Sequence, residues 1–295
     1  MTGTIRYRIV FILLLLCGSL FALEKNQLFL WNVETEISNI YILGSIHILN
    51  REFYPLPGKI ESAFEETDVL VIEVDINNVQ EEEILMLIFQ KGVYTDGTTI
   101  ADKLNDEDFG LLRNKLEELQ LPVDAFLTFK PWLIAMTIQS LNYNFGGYDA
   151  AFGLDMYFLE KAGNREILEL ESMEYQLDMF IDMTEELQIA YLISILTDDS
   201  YSEIFLEQAI EFWKAGDADS LYLLMHPEKW STPLDKELFQ IFFLDRNILM
   251  ADRIESYLET GGNYFVIVGA GHLAGEGSII DILNARGNKV IQIFE

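Results

Sequence analysis

The hydrophobic positions of this chain follow two kinds of pattern, which predict strands near both ends and helices between them. Short apolar or alternating runs rich in Val, Ile, Leu, Phe and Tyr are typical of strands. They lie at 27–33, 36–43, 69–74, 166–171, 264–268 and 289–294. The first two flank Glu34-Thr35, which predicts a hairpin turn. Because several runs are apolar throughout, they favour a sheet that is covered on both faces.

The segments between these runs carry apolar residues at three- and four-residue spacing, which predicts helices. The predicted helices cover 106–119, 131–141, 149–161, 172–183, 184–196, 201–215, 217–225 and 234–258. We therefore predict an α/β fold, in which a mixed, largely parallel central sheet carries a large helical insertion at about 78–260. No linker rich in Pro, Gly or Ser divides the sequence, so we expect a single domain over 23–295.

Residues 1–22 have the features of a signal peptide for export. Two arginines precede an apolar run at 9–16, and small residues follow up to Ala22. We expect cleavage after Ala22 and a periplasmic or envelope-associated protein; lipid attachment at Cys17 and an uncleaved N-terminal anchor are the alternatives. Cys17 is the only cysteine, so the mature chain would have neither a disulfide nor a thiolate metal site.

The charge of the chain restricts its partners. With 49 acidic and 19 basic residues, the formal net charge is −30. Such a surface repels nucleic-acid phosphates and anionic lipid headgroups, and it attracts cations and basic peptides. Plain solubility is the other explanation for most of this charge. For the partners of the chain we expect no nucleic acid, a peptide or small-molecule substrate, and a membrane tether only through the N-terminus.

Two of the three histidines occupy the same short motif. Gly44-Ser45-Ile46-His47 and Gly269-Ala270-Gly271-His272 each follow an apolar strand-type run. A strand that ends in Gly-x-x-His places an imidazole at its carboxyl end, where ligands collect in α/β folds. Two such ends brought together would form a two-histidine site, which suggests a metal.

Glu73 is the third candidate site residue, because it lies within an otherwise apolar predicted strand. A buried carboxylate needs a partner, a metal or a proton. One carboxylate with two imidazoles is a ligand set for zinc, manganese or iron. Glu73 is thus a metal ligand or a general base that activates water, and the alternative is a solvated acid at the end of the strand. Asp75, on the same strand face, could flank a cation beside it.

Three further positions carry weaker signals. Arg246 lies in an apolar helical stretch, where a guanidinium could bind a substrate carboxylate or an oxyanion; a surface ion pair is the alternative. Glu276 lies one helical turn after His272 and could orient it, or be a solvated helix-end acid. His226 follows no strand and is expected to be structural. Residues 269–274 also match a dinucleotide fingerprint, but the histidine would fill the phosphate-binding turn.

These residues resemble the TraB/PrgY/GumN family, whose animal relatives are the TIKI metalloproteases. Besides the two Gly-x-x-His motifs and Glu73, the matching segments are Lys130-Pro131-Trp132, Gly153-Leu154-Asp155, Leu170-Glu171-Ser172, Arg246-Asn247 and Gly275-Glu276. The resemblance implies that His47, Glu73 and His272 are metal and catalytic residues. It also implies the fold of the related erythromycin-esterase and ChaN-like superfamily, an α/β sheet with a large helical portion.

Together, the residues and the resemblance predict an exported, divalent-metal-dependent hydrolase that acts as a peptidase. His47 and His272 would bind Mn²⁺, Co²⁺ or Zn²⁺, with Glu73 as third ligand or base and Arg246 on the substrate. Two alternatives stay open. One is a non-enzymatic envelope protein that sequesters a peptide or other ligand, and the other is a metal-independent esterase with a histidine as general base.

Overall fold

The structure of the chain is a computed structural model, and it describes residues 26–142, 147–197, 203–225 and 232–295. The predicted signal peptide, Cys17 and His226 lie outside the described residues. The expectations of export and of a structural role for His226 therefore stay predictions.

The described residues form one six-stranded sheet. Its strands are β1 (Gln27–Glu34), β2 (Ser38–Ser45), β3 (Val69–Ile72), β4 (Glu166–Glu169), β5 (Gly262–Gly269) and β6 (Val290–Phe294). Their spatial order is β4-β3-β5-β2-β1-β6. Strands β4, β3, β5 and β2 run parallel, whereas β1 is antiparallel to both β2 and β6. The predicted α/β class with a mixed, largely parallel sheet is confirmed.

The register of the parallel strands aligns their carboxyl ends. Ser45 of β2 pairs with Gly269 of β5, so these two strands end side by side. On the other side of β5, Ile72 of β3 pairs with Glu169 of β4. The four strands therefore finish along one edge of the sheet, with β5 and β3 in the middle.

All of the described α-helices lie between β2 and β6 along the chain. They are α1 (Gly58–Glu65), α2 (Glu81–Gly92), α3 (Asp106–Glu118), α4 (Pro131–Asn142), α5 (Leu154–Lys161), α6 (Met173–Ile181), α7 (Glu185–Thr197), α8 (Glu203–Lys214), α9 (Ala218–Met225), α10 (Pro233–Phe239), α11 (Asp245–Thr260) and α12 (Ile279–Ala285). The pattern did not predict α1, α2 or α12. The first and last are too short to show a clear period, and α2 carries a run of successive apolar residues without helical spacing.

Two predicted helices are interrupted. The segment at 149–161 begins as a 3₁₀ turn, Ala150–Phe152, and α5 starts only after Gly153. Gly153 lies extended against the carbonyl oxygen of His47, so a Cβ there would collide with backbone. The predicted helix at 234–258 is instead α10 and α11 joined by a π-helical turn, Gln240–Leu244. Such turns are frequent at functional sites.

Two hydrophobic cores hold the elements in place. The larger core joins strand residues such as Phe29 and Phe265 to Phe158 of α5 and Ile254 of α11. A second core packs α3, α4 and α7 around residues such as Leu112, Ile138 and Leu192. The helical insertion therefore has apolar packing of its own, and the single-domain expectation stays a prediction. Across the described ranges, no helix has the length and hydropathy needed to cross a membrane.

Candidate functional site

Four neighbouring strands place polar residues at their shared carboxyl edge. His47 lies two residues after β2, Glu73 directly after β3, and Glu171 two residues after β4. His272 lies in the 3₁₀ turn Ala270–Leu273 that follows β5. Glu73 is thus just beyond its strand, and the prediction that it lies inside a strand was wrong. In open α/β sheets this edge is where ligands bind.

The two histidines and Glu73 converge on Gly269. A Cβ added to Gly269 would lie 3.2 Å from Nε2 of His47, 3.4 Å from Oε1 of Glu73 and 3.5 Å from Cδ2 of His272. All three side chains therefore border one small space, and the absence of a side chain at Gly269 keeps that space open. The structure brings these three predicted site residues together.

Asp155 holds the His47 ring in place. Its Oδ2 lies 2.6 Å from Nδ1 of His47 and accepts a 2.5 Å hydrogen bond from Oγ of Ser45. The Asp155 carboxylate raises the pKa of His47 to about 9 through its charge, although burial opposes the shift. The His47 side chain is 59% accessible to solvent, so water weakens the effect of burial on its pKa and a ligand has access to the ring.

The position of Asp155 follows from the local chain path. Asp155 lies in the first turn of α5, and the backbone N–H of Leu154 donates to the carbonyl of Ile46 at 3.2 Å. This contact docks the start of α5 against the loop that carries His47. Burial alone would raise the pKa of Asp155, but the charge of His47 and the hydrogen bonds from His47 and Ser45 hold that pKa below its usual range.

Asn247 of α11 holds the second histidine. Oδ1 of Asn247 lies 2.6 Å from Nδ1 of His272, and Nδ2 of Asn247 donates to the carbonyl of Gly277 at 2.8 Å. Because the amide nitrogen of Asn247 donates to Gly277, it is the amide oxygen of Asn247 that faces His272. Nδ1 of His272 therefore carries the ring proton. Burial lowers the pKa of His272 to about 3, so the ring is neutral near pH 7 and its Nε2 keeps a lone pair. Glu276, the predicted partner of His272, is exposed, and Asn247 takes its place.

Arg246 joins two carboxylates at the same edge. Its Nη2 donates to Oε2 of Glu73 at 2.6 Å and to Oε2 of Glu171 at 2.7 Å, and its Nε donates to Oε1 of Glu171 at 2.9 Å. The Glu171 side chain is 1% exposed, so this is a buried ion-pair cluster. The alternative of a surface ion pair for Arg246 was wrong. Its guanidinium is directed at Glu73 and Glu171, and a role on the substrate stays a prediction.

Glu73 is ionised in this setting. Burial alone would raise its pKa, but His272, Arg246, His47 and the backbone N–H of Gly269, which donates to Oε1 at 2.6 Å, together lower it. Near neutral pH His272 is uncharged, so the Arg246 guanidinium, the charged His47 ring and the backbone amide of Gly269 are the groups that keep Glu73 ionised. A carboxylate with a lowered pKa is a weak base and a good cation ligand.

The donor atoms at this edge have the chemistry of a divalent-cation site but not its assembled geometry. Within the described ranges, no group of three or more His, Cys, Asp or Glu side chains has an arrangement ready to hold a metal ion. The donor types nevertheless suit one. In both histidines Nδ1 bonds an oxygen acceptor, which is the usual arrangement around metal-binding imidazoles and leaves Nε2 for the ion. Oε1 of Glu73 accepts one hydrogen bond and has a second lone pair.

Other predicted residues lie apart from this space. The Asp75 side chain caps the 3₁₀ turn Ile76–Asn78 by accepting from the backbone N–H of Asn77 at 3.1 Å, and no contact with Glu73 is seen among the described residues. Residues 269–274 form the end of β5 and the 3₁₀ turn Ala270–Leu273, in which His272 is buried.

Three residues of the cluster had no role assigned from the sequence: Asp155, Glu171 and Asn247. Each lies in one of the short segments that resemble the TraB/PrgY/GumN family. In the sequence, each is a polar residue next to an apolar residue or a glycine, and this contrast is the signal that could have marked it as a site residue. Nothing in a single sequence says which histidine or arginine such a residue will reach.

Similarity to known proteins identifies the family of this chain. The model of the TraB/PrgY/gumN family matches residues 29–292. The chain belongs to this family. It is 24% identical over 247 residues to the "Uncharacterized protein YbaP" of Escherichia coli (strain K12), covering 83% of this chain and 88% of that protein. It is 22% identical over 281 residues to an "Uncharacterized protein" of Treponema pallidum (strain Nichols), covering 89% and 82% respectively. No solved structure matches the chain.

Proposed function

We propose that this TraB/PrgY/gumN family protein is a divalent-metal-dependent hydrolase that cleaves peptide bonds. The observation that carries the proposal is the convergence of Nε2 of His47, Oε1 of Glu73 and the ring of His272 around Gly269. Two imidazoles and one carboxylate are the donor set of many hydrolytic metal sites. His272 is already neutral near pH 7, whereas His47, whose pKa is raised to about 9, would release its Nε2 proton when the ion binds. The ion would be Mn²⁺, Co²⁺ or Zn²⁺.

The residues around the proposed site have distinct tasks. A bound divalent cation would supply a Lewis acid and lower the pKa of water. Asp155 and Asn247 hold the two imidazoles through Nδ1, so that Nε2 of each ring is left free of that contact. Arg246 fixes Glu73 and keeps it ionised, so we propose that Arg246 positions this carboxylate rather than the substrate.

A second candidate is hydrolysis without a metal, and the Asp155–His47 pair favours it. A histidine oriented by a buried carboxylate, with Nε2 open to solvent, is the arrangement of a general base. Because the pKa of His47 is raised to about 9, the neutral form that acts as the base would increase as the pH rises towards 9. In that case Nε2 of His47 takes a proton from water as the water attacks an ester carbonyl. The proton then passes to the leaving alkoxide, which departs as an alcohol.

The test is cleavage of a peptide library by the purified chain lacking residues 1–22, before and after treatment with EDTA, together with calorimetric titration of Mn²⁺, Co²⁺ and Zn²⁺. We expect metal uptake, loss of cleavage in EDTA, recovery on adding metal, and no cleavage by His47→Ala. Activity on esters that survives EDTA, without metal uptake, would select the second candidate. Saturable peptide binding without any product would instead indicate sequestration.

Export is part of the same proposal and rests on the pattern at residues 1–22. Fractionation of cells that make the full chain, with mass spectrometry of the mature N-terminus, tests it. We expect a periplasmic protein that begins at Leu23. A diacylglycerol-modified Cys17 or an intact N-terminus would show the lipoprotein or anchored form instead.

A further inference from the structure

Helix α2 presents apolar side chains to solvent instead of burying them. It carries six apolar residues in succession, from Ile84 to Phe89, yet Gly92 is its only buried residue. Leu85, Met86 and Phe89 are 53%, 57% and 63% exposed. A surface helix ordinarily turns its apolar stripe towards the core. Scattered exposed apolar residues are common, whereas a cluster on one helix marks an interaction surface.

This surface borders the candidate site. Ile76 is 49% exposed and lies three residues after Glu73, so the two backbones are at most about 11 Å apart. Helix α2 packs against α6, which begins two residues after Glu171. We define the α2 patch as Leu85, Met86 and Phe89. It is linked to the candidate site through α6, whose start adjoins Glu171, and through the short segment of chain between Glu73 and α2.

The charge of the chain decides between possible occupants. The formal net charge is −30, and the first turn of α2 contains Glu81, Glu82 and Glu83. A second copy of this chain would bring the same charge to the contact and be repelled. An anionic membrane would be repelled for the same reason. A partner that combines apolar side chains with lysine or arginine would satisfy both the apolar patch and the acidic turn.

We propose that the α2 patch binds the apolar segment of a basic peptide while another part of that peptide reaches the candidate site. The proposal rests on the proposed peptidase function and names its substrate class. Helix α2 has 12 residues and is about 18 Å long, which an extended peptide spans with about five or six residues. Short peptides would therefore miss the patch, and longer ones would use it.

The experiment measures docking separately from cleavage. The probe is a fluorescein-labelled peptide of Leu, Phe and Ala with Lys at both ends, titrated with protein and followed by fluorescence anisotropy. The variant is Leu85→Gln/Met86→Gln/Phe89→Gln, which keeps good helix formers at exposed positions. The matched control is Ile37→Gln, since Ile37 is 62% exposed in the turn between β1 and β2, at the opposite end of β2 from His47.

We expect the triple variant to raise the Kd of the peptide by about tenfold or more and Ile37→Gln to leave it unchanged. The same peptide with Glu at both ends should bind the wild-type protein at least about tenfold more weakly. Equal affinity of wild type and triple variant, or no binding to wild type, would overturn the proposal. So would a triple variant whose only change is loss of dimers in light scattering or loss of binding to phosphatidylcholine vesicles.

The two proposals fail in different ways. Normal docking without cleavage, in the presence of metal, would contradict the peptidase function and leave the docking surface standing. Cleavage of the lysine-ended peptide with the same KM by wild type and triple variant would contradict the docking surface alone. We expect instead a KM raised by about tenfold with little change in kcat, because the patch binds a remote part of the substrate.

Discussion

Replacing Gly269 by alanine tests the convergence of His47, Glu73 and His272 in one step. The backbone at Gly269 has φ −50° and ψ 134°, which alanine adopts without strain. The loss of unfolded-chain entropy would stabilise the variant by about 0.4–1 kcal/mol. The new methyl would lie 3.2 Å from Nε2 of His47, which is slightly tighter than ordinary contact and offsets that gain. We therefore expect the free energy of unfolding to change by less than about 1 kcal/mol.

The same methyl would occupy the space that the reaction needs. It would lie 3.4 Å from Oε1 of Glu73 and 3.5 Å from Cδ2 of His272, so neither a cation nor a scissile carbonyl could take that position. Misplacement of reacting groups by about 1 Å costs about 100-fold in rate. We expect Gly269→Ala to reduce kcat/KM at least about 100-fold and to abolish metal uptake in calorimetry.

The matched control for this variant is Gly110→Ala in helix α3. A Cβ there would meet nothing within 4 Å, so alanine should stabilise the helix by about 0.5–1 kcal/mol and leave activity unchanged. Urea denaturation gives the stability of both variants, and peptide cleavage gives their activity. A folded Gly269→Ala variant with metal affinity and kcat/KM within twofold of wild type would refute the proposed use of this space.

Three further perturbations follow from the buried contacts. Glu171→Gln removes one carboxylate from the buried ion-pair cluster and should lower the free energy of unfolding in urea by about 3–5 kcal/mol. The metal-free His47 ring should titrate in NMR with a pKa of about 9, and Asp155→Asn should bring that pKa below the ordinary 6.5. Because the folded-state pKa is raised, the stabilisation by charged His47 is present below about pH 6.5 and is lost as pH rises through about 9. Trp213→Phe removes a buried 2.6 Å hydrogen bond from Nε1 to the carbonyl of Gly44 and should cost about 1–3 kcal/mol in urea denaturation.

Each of these perturbations has a control or a contrary result. The exposed Glu174, three residues from Glu171, serves as the control, and Glu174→Gln should stay within about 0.5 kcal/mol of wild type. A His47 pKa that is the same in wild type and Asp155→Asn would contradict the pairing of that ring with Asp155. An unchanged urea midpoint for Trp213→Phe would mean that the Gly44 carbonyl finds another donor.

The strand ends were predictable from the sequence because glycine after an apolar run marks both a turn and a close approach. That signal located His47 and His272, and an acid beside a short apolar run located Glu73. Sheet order was not predictable, because it depends on which strands pair across the helical insertion. The central place of β5 between β2 and β3 is what brings the three side chains to one edge.

The contacts that hold the two histidines and Glu73 could not be predicted from a single sequence either, because they also depend on how distant elements pack together. Asp155 reaches His47 because the first turn of α5 docks beside the loop after β2, a separation of 108 residues. Arg246 and Asn247 lie side by side in the first turn of α11, yet one reaches Glu171 and the other His272. Local periodicity shows that such residues are polar in an apolar setting. It does not show their partners, which the packing of distant helices on the sheet determines.

Pulsed electron paramagnetic resonance of Mn²⁺ bound to the protein is the most direct test of the proposed centre. Couplings from two imidazole nitrogens are expected in the wild-type protein, with one lost in His47→Ala and the other in His272→Ala. Mn²⁺ that shows only water couplings, or couplings unaffected by both substitutions, would contradict a metal centre built from these two strand ends.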